Sequence, residues 1–207
     1  SEMSTIETET RSEKKRRQIL EAGRELFMAQ GFAETSMDLV TAKSGVSKAT
    51  VYNHFPSKEV LFEEAVRTRA EEVFAALPKL DAEHIDPESM LTAYFYALLQ
   101  IILSEDGACM CFLLVSEGRR FPENAKLIYE TGFGRGLGEM AEYLKQLHQR
   151  GILHLPDPHW AAGRLLGLVL PPFPMMCSAF LELAPPTEAE VRKSVQLFLK
   201  GTATAGG

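Results

Sequence analysis

Between Gly45 and Phe62 the chain reads GVSKATVYNHFPSKEVLF, and hydrogen-bonding side chains arrive there in a dense run: Ser47, Lys48, Thr50, Tyr52, Asn53, His54, Ser57 and Lys58. These residue types suit the recognition of a polyanion with readable edges. In a DNA major groove, Asn matches adenine, Lys matches guanine, and the Ala49 methyl can rest on a thymine methyl. Hydroxyl, imidazole and ammonium groups donate to phosphate oxygens. Lys48, Thr50 and Asn53 are therefore candidate base readers, and Tyr52, His54 and Lys58 candidate backbone contacts. A second reading stays open for Tyr52 and His54, which stand beside Phe55 and can pack between helices instead.

Other chemistry is poorly represented. Cys109-Met110-Cys111 suggests metal or redox work, but on a helix residues i and i+2 diverge by about 200°, so the two thiols cannot share one ion. The expected role is a buried apolar Cys, with thiol sensing as the alternative. His84, His148, His154 and His159 lack the spacing of a ligand set. Gly132-Phe133-Gly134-Arg135-Gly136 mimics part of a nucleotide loop without the strand that must precede it. No nucleophile elbow or paired-carboxylate signature appears, so neither an enzyme, a cofactor nor a metal is expected.

The elements that must position the polar run are helices. Ile19, Ala22, Gly23, Leu26, Phe27 and Gln30 recur on one helical face. Gly31 stands where a helix end favours a left-handed residue. Thr35-Ser36-Met37-Asp38 offers a hydroxyl cap with an acid three residues on, opening a second short helix that Gly45 stops. Ser47 caps a third, from Lys48 to about His54, and Ser57 a fourth, which runs to Pro78. Val46 and Val51 are the apolar pegs of a helix-turn-helix over 38–54, with the third helix free to enter a groove. Further helices are expected over 88–103, 107–119, 122–150, 157–183 and 187–200, punctuated by Gly107, Pro122, Gly151, Pro156, Pro185 and Pro186. No strand pattern longer than four residues and no internal repeat is present, so the fold class is all-α.

The charge distribution agrees with two jobs. The net charge is −6, yet residues 11–60 hold nine Lys/Arg against six Asp/Glu, a surplus of three. The remainder holds 13 against 22, a deficit of nine. Lys14-Lys15-Arg16-Arg17 at a helix N-terminus opposes the macrodipole, which an external polyanion would offset; a solvated charge run is the other reading. The first residues, SEMSTIETETRSE, are polar and acidic, and residues 1–12 are expected to form a disordered tail with Met3 as the natural start and no secretory signal. The longest uncharged run, Leu165–Leu181, is too short to span a membrane and carries three prolines. Three cysteines without framework spacing point to a reducing, cytoplasmic setting.

Residues 17–62 resemble the DNA-binding domain of TetR-family transcriptional regulators, with the pattern G-V-S-x-x-T-V-Y-x-H-F-x-S-K nearly complete. Thr41 and Ser44 depart from it, standing where the family usually has Ala. The resemblance implies a dimer of all-helical subunits, each with a small reading head and a larger ligand-binding domain. It places phosphate contacts on Ser36, Tyr52, His54 and Lys58, and base-facing positions on Ser47, Lys48, Ala49, Thr50 and Asn53. The expected division is a head over 13–60, a connecting helix over 57–78, and a ligand-binding and dimerisation domain over 79–207. The partners implied are a double-stranded DNA operator, a small hydrophobic effector and a second copy of the chain.

In the second domain the stretch FLLVSEGRRFPENAKLIYETGFGRGL resembles AefR-like members of the family. Phe95, Leu99, Phe112, Tyr129, Phe173 and Met176 are candidate effector contacts, being large, apolar or adaptable; such a stripe at helical spacing is more often core than ligand site. LPPFPMM interrupts a helix, and a bend there would shape a pocket. Leu165, Leu168, Val169, Val195, Leu197 and Phe198 are the apolar anchors of the last two helices, which in the family form a two-fold interface suited to a palindromic operator. The expected function is a ligand-responsive regulator, a repressor in the sense the family favours; a thiol sensor or a partner-binding C-terminal module are the alternatives.

Overall fold

A computed structural model describes residues 9–172 and 184–204. The chain divides into two compact units at Thr68/Arg69. Among the described residues the regular structure is helical, apart from one isolated bridge between Leu153 and Ala203. No single helix among them is long and apolar enough to cross a membrane.

In the N-terminal unit, α1 (Arg11–Glu34) opens with a reciprocal cap. The Thr10 hydroxyl accepts from Glu13 N at 3.1 Å, and the Glu13 carboxylate accepts from Thr10 N at 2.7 Å. Residues 11 and 12, expected to belong to the tail, are helical, because this capping box already fixes Arg11 in the helix. Gly31, at φ 84°, bends α1 before its end. Phe27, Phe32 and Phe62 then close the core, with edge-to-face ring pairs at 5.0 and 5.1 Å.

Ser36, rather than the expected Thr35, caps α2 (Met37–Ser44) by accepting from Leu39 N. Thr35 is buried and turns back, its hydroxyl donating to Gly31 O at 2.7 Å. Gly45 takes φ 68° and ψ 13°, the left-handed turn that brings in α3 (Lys48–His54). Thr41 and Ser44 satisfy their hydroxyls on Met37 O and Thr41 O, and Ser44 Oγ also accepts from Val46 N in the turn. Their departure from Ala leaves no unpaired hydroxyl. The helix α4 (Lys58–Ala76) starts on the Ser57 cap and buries Leu61, Phe62, Ala65 and Val66.

The C-terminal unit contains α5 (Pro87–Ile102), α6 (Glu105–Glu117), α7 (Pro122–Tyr129), a π turn (Glu130–Gly134), α8 (Arg135–Gln149), α9 (Pro158–Val169) and α10 (Glu188–Thr202). Asp86 caps α5 with Pro87 at its first position. Ser104 caps α6, which begins two residues before the expected start at Gly107. Gly107 is no breaker: a Cβ there would lie 2.3 Å from Ile102 O and 2.5 Å from Ile101 O, so the tight α5–α6 corner requires glycine inside the helix. Phe95, Leu99, Met140, Leu144, Leu147, Leu165 and Val195 are fully buried together. α9 packs along α8 and α10 along α5. α9 ends at Val169, with Leu170 extended before Pro171 and Pro172, so the helix expected over 157–183 stops there; residues 173–183 lie outside the described residues.

Candidate nucleic-acid interface

The reading surface begins with what α3 buries. Val51 is 0% exposed and Val46 is buried beside it, with Phe55 closing the far end. That fixes which side of a seven-residue helix faces away. Ser47, Lys48, Ala49, Tyr52 and Asn53 are all exposed, and Tyr52 is 40% exposed, which does not suit a packing residue. His54 is half-buried, its ring centroid 6.4 Å from that of Phe55.

Several of these groups already have partners. The Ser47 hydroxyl donates to Thr50 Oγ1 at 2.9 Å while accepting from Thr50 N, so both hydroxyls serve the start of α3. Lys48 Nζ lies 3.1 Å from the Asp38 carboxylate of α2, and that hydrogen bond pushes the ammonium pKa up. Ser36 is exposed, with its hydroxyl at the start of α2. Lys58 is half-buried, and its ammonium donates to Phe32 O at 2.9 Å, 4.2 Å from the Phe32 ring centroid. This tie between α4 and the end of α1 was invisible in the sequence, where Lys58 reads only as a cation.

The basic cluster divides. Arg16 lies over the Phe55 ring at 4.7 Å and pairs with Glu64 at 3.1 Å. Arg17 donates to Glu9 at 2.9 Å and to Glu21 at 3.3 Å, holding the Glu9 carboxyl below its usual range. Lys14 and Lys15 make no ion pair among the described residues.

The expected effector contacts among the described residues differ in burial. Phe95 and Leu99 are fully buried in the core of the C-terminal unit, whereas Phe112 is 56% and Tyr129 47% exposed. The run Cys109–Val115 is apolar on every side of its helix, so its periodicity could not assign a face. Phe173 and Met176 lie outside the described residues. Of the expected interface anchors, Leu165, Val169, Val195 and Phe198 belong to the chain's own core, while Leu168 and Leu197 point outward with Trp160.

Cys109 and Cys111 are half-buried. Burial, then Glu105 and Asp106, push the Cys109 thiol up, away from the thiolate that sensing requires. Cys177 lies outside the described residues. Among the described residues no group of three or more His, Cys, Asp or Glu is placed to hold a metal. The structure does bring His148 and His154 together, with ring centroids 6.0 Å apart, and His148 Nδ1 accepts from Leu155 N at 3.1 Å. Five residues, among them Gly151 at φ 73°, separate them in sequence.

This geometry has relatives. Residues 19–65 match the bacterial regulatory proteins of the tetR family, and residues 89–200 match the C-terminal domain of AefR-like transcriptional repressors. A solved structure from Mesorhizobium loti MAFF303099, described as a TetR-family transcriptional regulator, is 31% identical with a TM-score of 0.77, covering 95% of this chain and 100% of its own. The flavonoid-responsive regulator FrrA is 30% identical with a TM-score of 0.76, covering 93% of this chain and 99% of its own. The helix-turn-helix transcriptional regulator YfiR of Bacillus subtilis (strain 168), itself uncharacterised, is 33% identical over 98 residues, 47% of each chain, so this chain spans about half the length of that curated relative. The chain belongs to the TetR family of transcriptional regulators, with a helix-turn-helix head and an AefR-like C-terminal domain.

Proposed function

We propose that this regulator is a ligand-responsive repressor, held as a homodimer on a palindromic operator and released by a small hydrophobic or aromatic effector. The observation that carries the DNA-binding part is the division of α3: Val51 is wholly buried, and Lys48, Ala49, Tyr52 and Asn53 share the exposed side. In this reading Ser47, Lys48, Ala49, Thr50 and Asn53 face bases, and Ser36, Tyr52, His54 and Lys58 hold phosphates. The head covers residues 13–60, the helix over 57–78 connects it, and residues 79–207 sense and dimerise. Outward-facing Trp160, Leu168 and Leu197 on α9 and α10 supply the apolar surface of a two-fold interface. The flavonoid response of a neighbour 30% identical over nearly the whole chain supports an aromatic effector, and the repressor description of the matched C-terminal domain supports the sign. The effector acts only through its different affinity for two states of the protein. Thiol sensing is disfavoured by the raised Cys109 pKa. The cytoplasm is the compartment in which such a regulator meets DNA.

The test is enrichment of duplexes from a random library by the purified chain, followed by a salt series. Enrichment of a palindrome, with affinity falling steeply as salt rises, supports the reading. Enrichment of no sequence overturns it. Adding a flavonoid panel to the enriched complex then tests the effector class, and retention of DNA against every apolar aromatic compound counts against it.

A further inference from the structure

The helical stretch from Pro122 to Gln149 contains one π turn, Glu130–Gly134, placed directly before Arg135. A π turn holds an extra residue relative to an α turn, so it stores a shift of register. Closing it to α geometry would turn one side relative to the other by about 100° and move it about 1.5 Å. Its residues make it soft. Gly132 and Gly134 lie within it and Gly136 and Gly138 follow, all weak helix formers. The Thr131 hydroxyl donates to Leu127 O at 2.7 Å, drawing on a carbonyl of the preceding turn. The Tyr129 and Phe133 rings are 5.7 Å apart and both about half exposed, so no core contact locks them.

Arg135 is the first residue beyond this turn, and it grips α4. Its guanidinium donates to the Glu71 carboxylate at 2.7 Å and to Glu139 at 3.1 Å, and lies 4.1 Å from the Phe74 ring centroid. Glu71 is 73% exposed, so the ion pair alone holds little; the ring contact and the two carboxylates together give the grip its direction. Such a contact is firm enough to orient a helix and weak enough to be switched. Glu71 and Phe74 lie in the last third of α4, and α4 is one helix from Lys58 to Ala76, so its other end starts at the Ser57 cap of the reading head.

We infer that the π turn and Arg135 form the coupling element through which the C-terminal unit biases α4. With the turn open, Arg135 grips Glu71 and Phe74; with the turn closed, Arg135 is carried off them and α4 is released. Arg135 is thus a positioning residue for α4 rather than a contact of DNA or effector. The inference rests on the DNA-binding reading above. Coupling is reciprocal, so a duplex held by the reading head must change the π turn even with no effector present.

The experiment measures hydrogen exchange over residues 122–149 in the full chain, with and without a duplex enriched from a random library. Wild type and the variants Arg135→Gln and a deletion of Gly132, which shortens the turn, are compared. The duplex is expected to change exchange at 130–139 by about fivefold or more in wild type, the lower end of ordinary coupling factors, and to change it in neither variant. Exchange at 130–139 that ignores a bound duplex in wild type overturns the inference while leaving the DNA-binding reading intact. A wild-type response in Arg135→Gln also overturns it, and that half-buried substitution carries the test if the deletion unfolds. Failure to enrich any duplex overturns the reading and the inference together.

Discussion

Lys58→Ala separates two roles that a sequence motif merges. The Lys58 ammonium donates to Phe32 O at 2.9 Å and lies 4.2 Å from the Phe32 ring centroid. A hydrogen bond from a charged donor contributes about 1.5–3 kcal/mol, and a cation–π contact at a partly exposed site about 0.5–1 kcal/mol. The Phe32 carbonyl is not orphaned when the ammonium is removed, because Thr35 N still approaches it at 3.3 Å. The lower ends therefore apply, and the expected loss is about 2 kcal/mol. The single tryptophan, Trp160, lies in the C-terminal unit, so its fluorescence is the wrong reporter. Native-state hydrogen exchange of α1 and α4 amides reads the opening of the head itself. The second measurement is the salt dependence of duplex affinity. One of three N–H donors is used by Phe32 O, which leaves two for a phosphate, and loss of one phosphate contact lowers the slope by about 0.9. A stability loss under about 0.5 kcal/mol would refute the tie to Phe32 as worked here. An unchanged salt slope would refute the phosphate contact.

Asn53→Ala is expected to cost about 1–3 kcal/mol at one base position and little elsewhere, measured by competition with singly substituted duplexes; an equal loss on every sequence contradicts base reading. Leu197→Glu places a charge on the outward side of α10 and is expected to give monomers in sedimentation equilibrium; a persistent dimer moves the interface elsewhere. Gly107→Ala, which sets a methyl against Ile102 O, is expected to destabilise the C-terminal unit by about 2–4 kcal/mol in urea unfolding, and a wild-type midpoint would contradict the close approach. Asp86 accepts from Ser89 N, and this holds its carboxyl below the usual 3.8. A depressed folded pKa means that its stabilisation is complete above the ordinary carboxyl range and is lost as pH falls through the lowered value. Asp86→Asn keeps a capping side chain without that titration, so its stability should fall less steeply below about pH 4; a profile parallel to wild type removes Asp86 from the acid response.

The reading head was legible because its elements are decided by local chemistry. Ser47 capping α3, Gly45 turning left-handed and Val46 and Val51 burying one side each follow from residue type at a fixed spacing. Ser36 and Thr35 show the limit: two adjacent hydroxyls offer the same cap, and only the bend at Gly31 decides that Thr35 turns inward. Gly107 shows another, since a glycine needed for close approach is spelled like one that ends a helix. The expected helix over 122–150 is helical from Pro122 to Gln149, but the widened turn within it leaves only a cluster of glycines as a signal. Phe112 was the hardest to place. A helix apolar all round carries no phase, so burial there depends on neighbours that the local sequence does not name.

The contact between Lys48 and Asp38 bears on how a regulator of this kind finds its site. Non-specific association with DNA is carried by cations meeting phosphates, and stickier heads dwell longer on the wrong sequence. On the proposed reading, Lys48 reads a base, yet in the free protein its charge is already answered by an acid 3.1 Å away. Random phosphates must displace that carboxylate to capture the lysine, whereas a correctly placed base edge offers directed acceptors in return. Both groups are well exposed, so the acid would weaken each random stop only slightly, and the effect would count through the number of stops made during a search. Replacing Asp38 would then produce a head that binds more DNA and searches it more slowly.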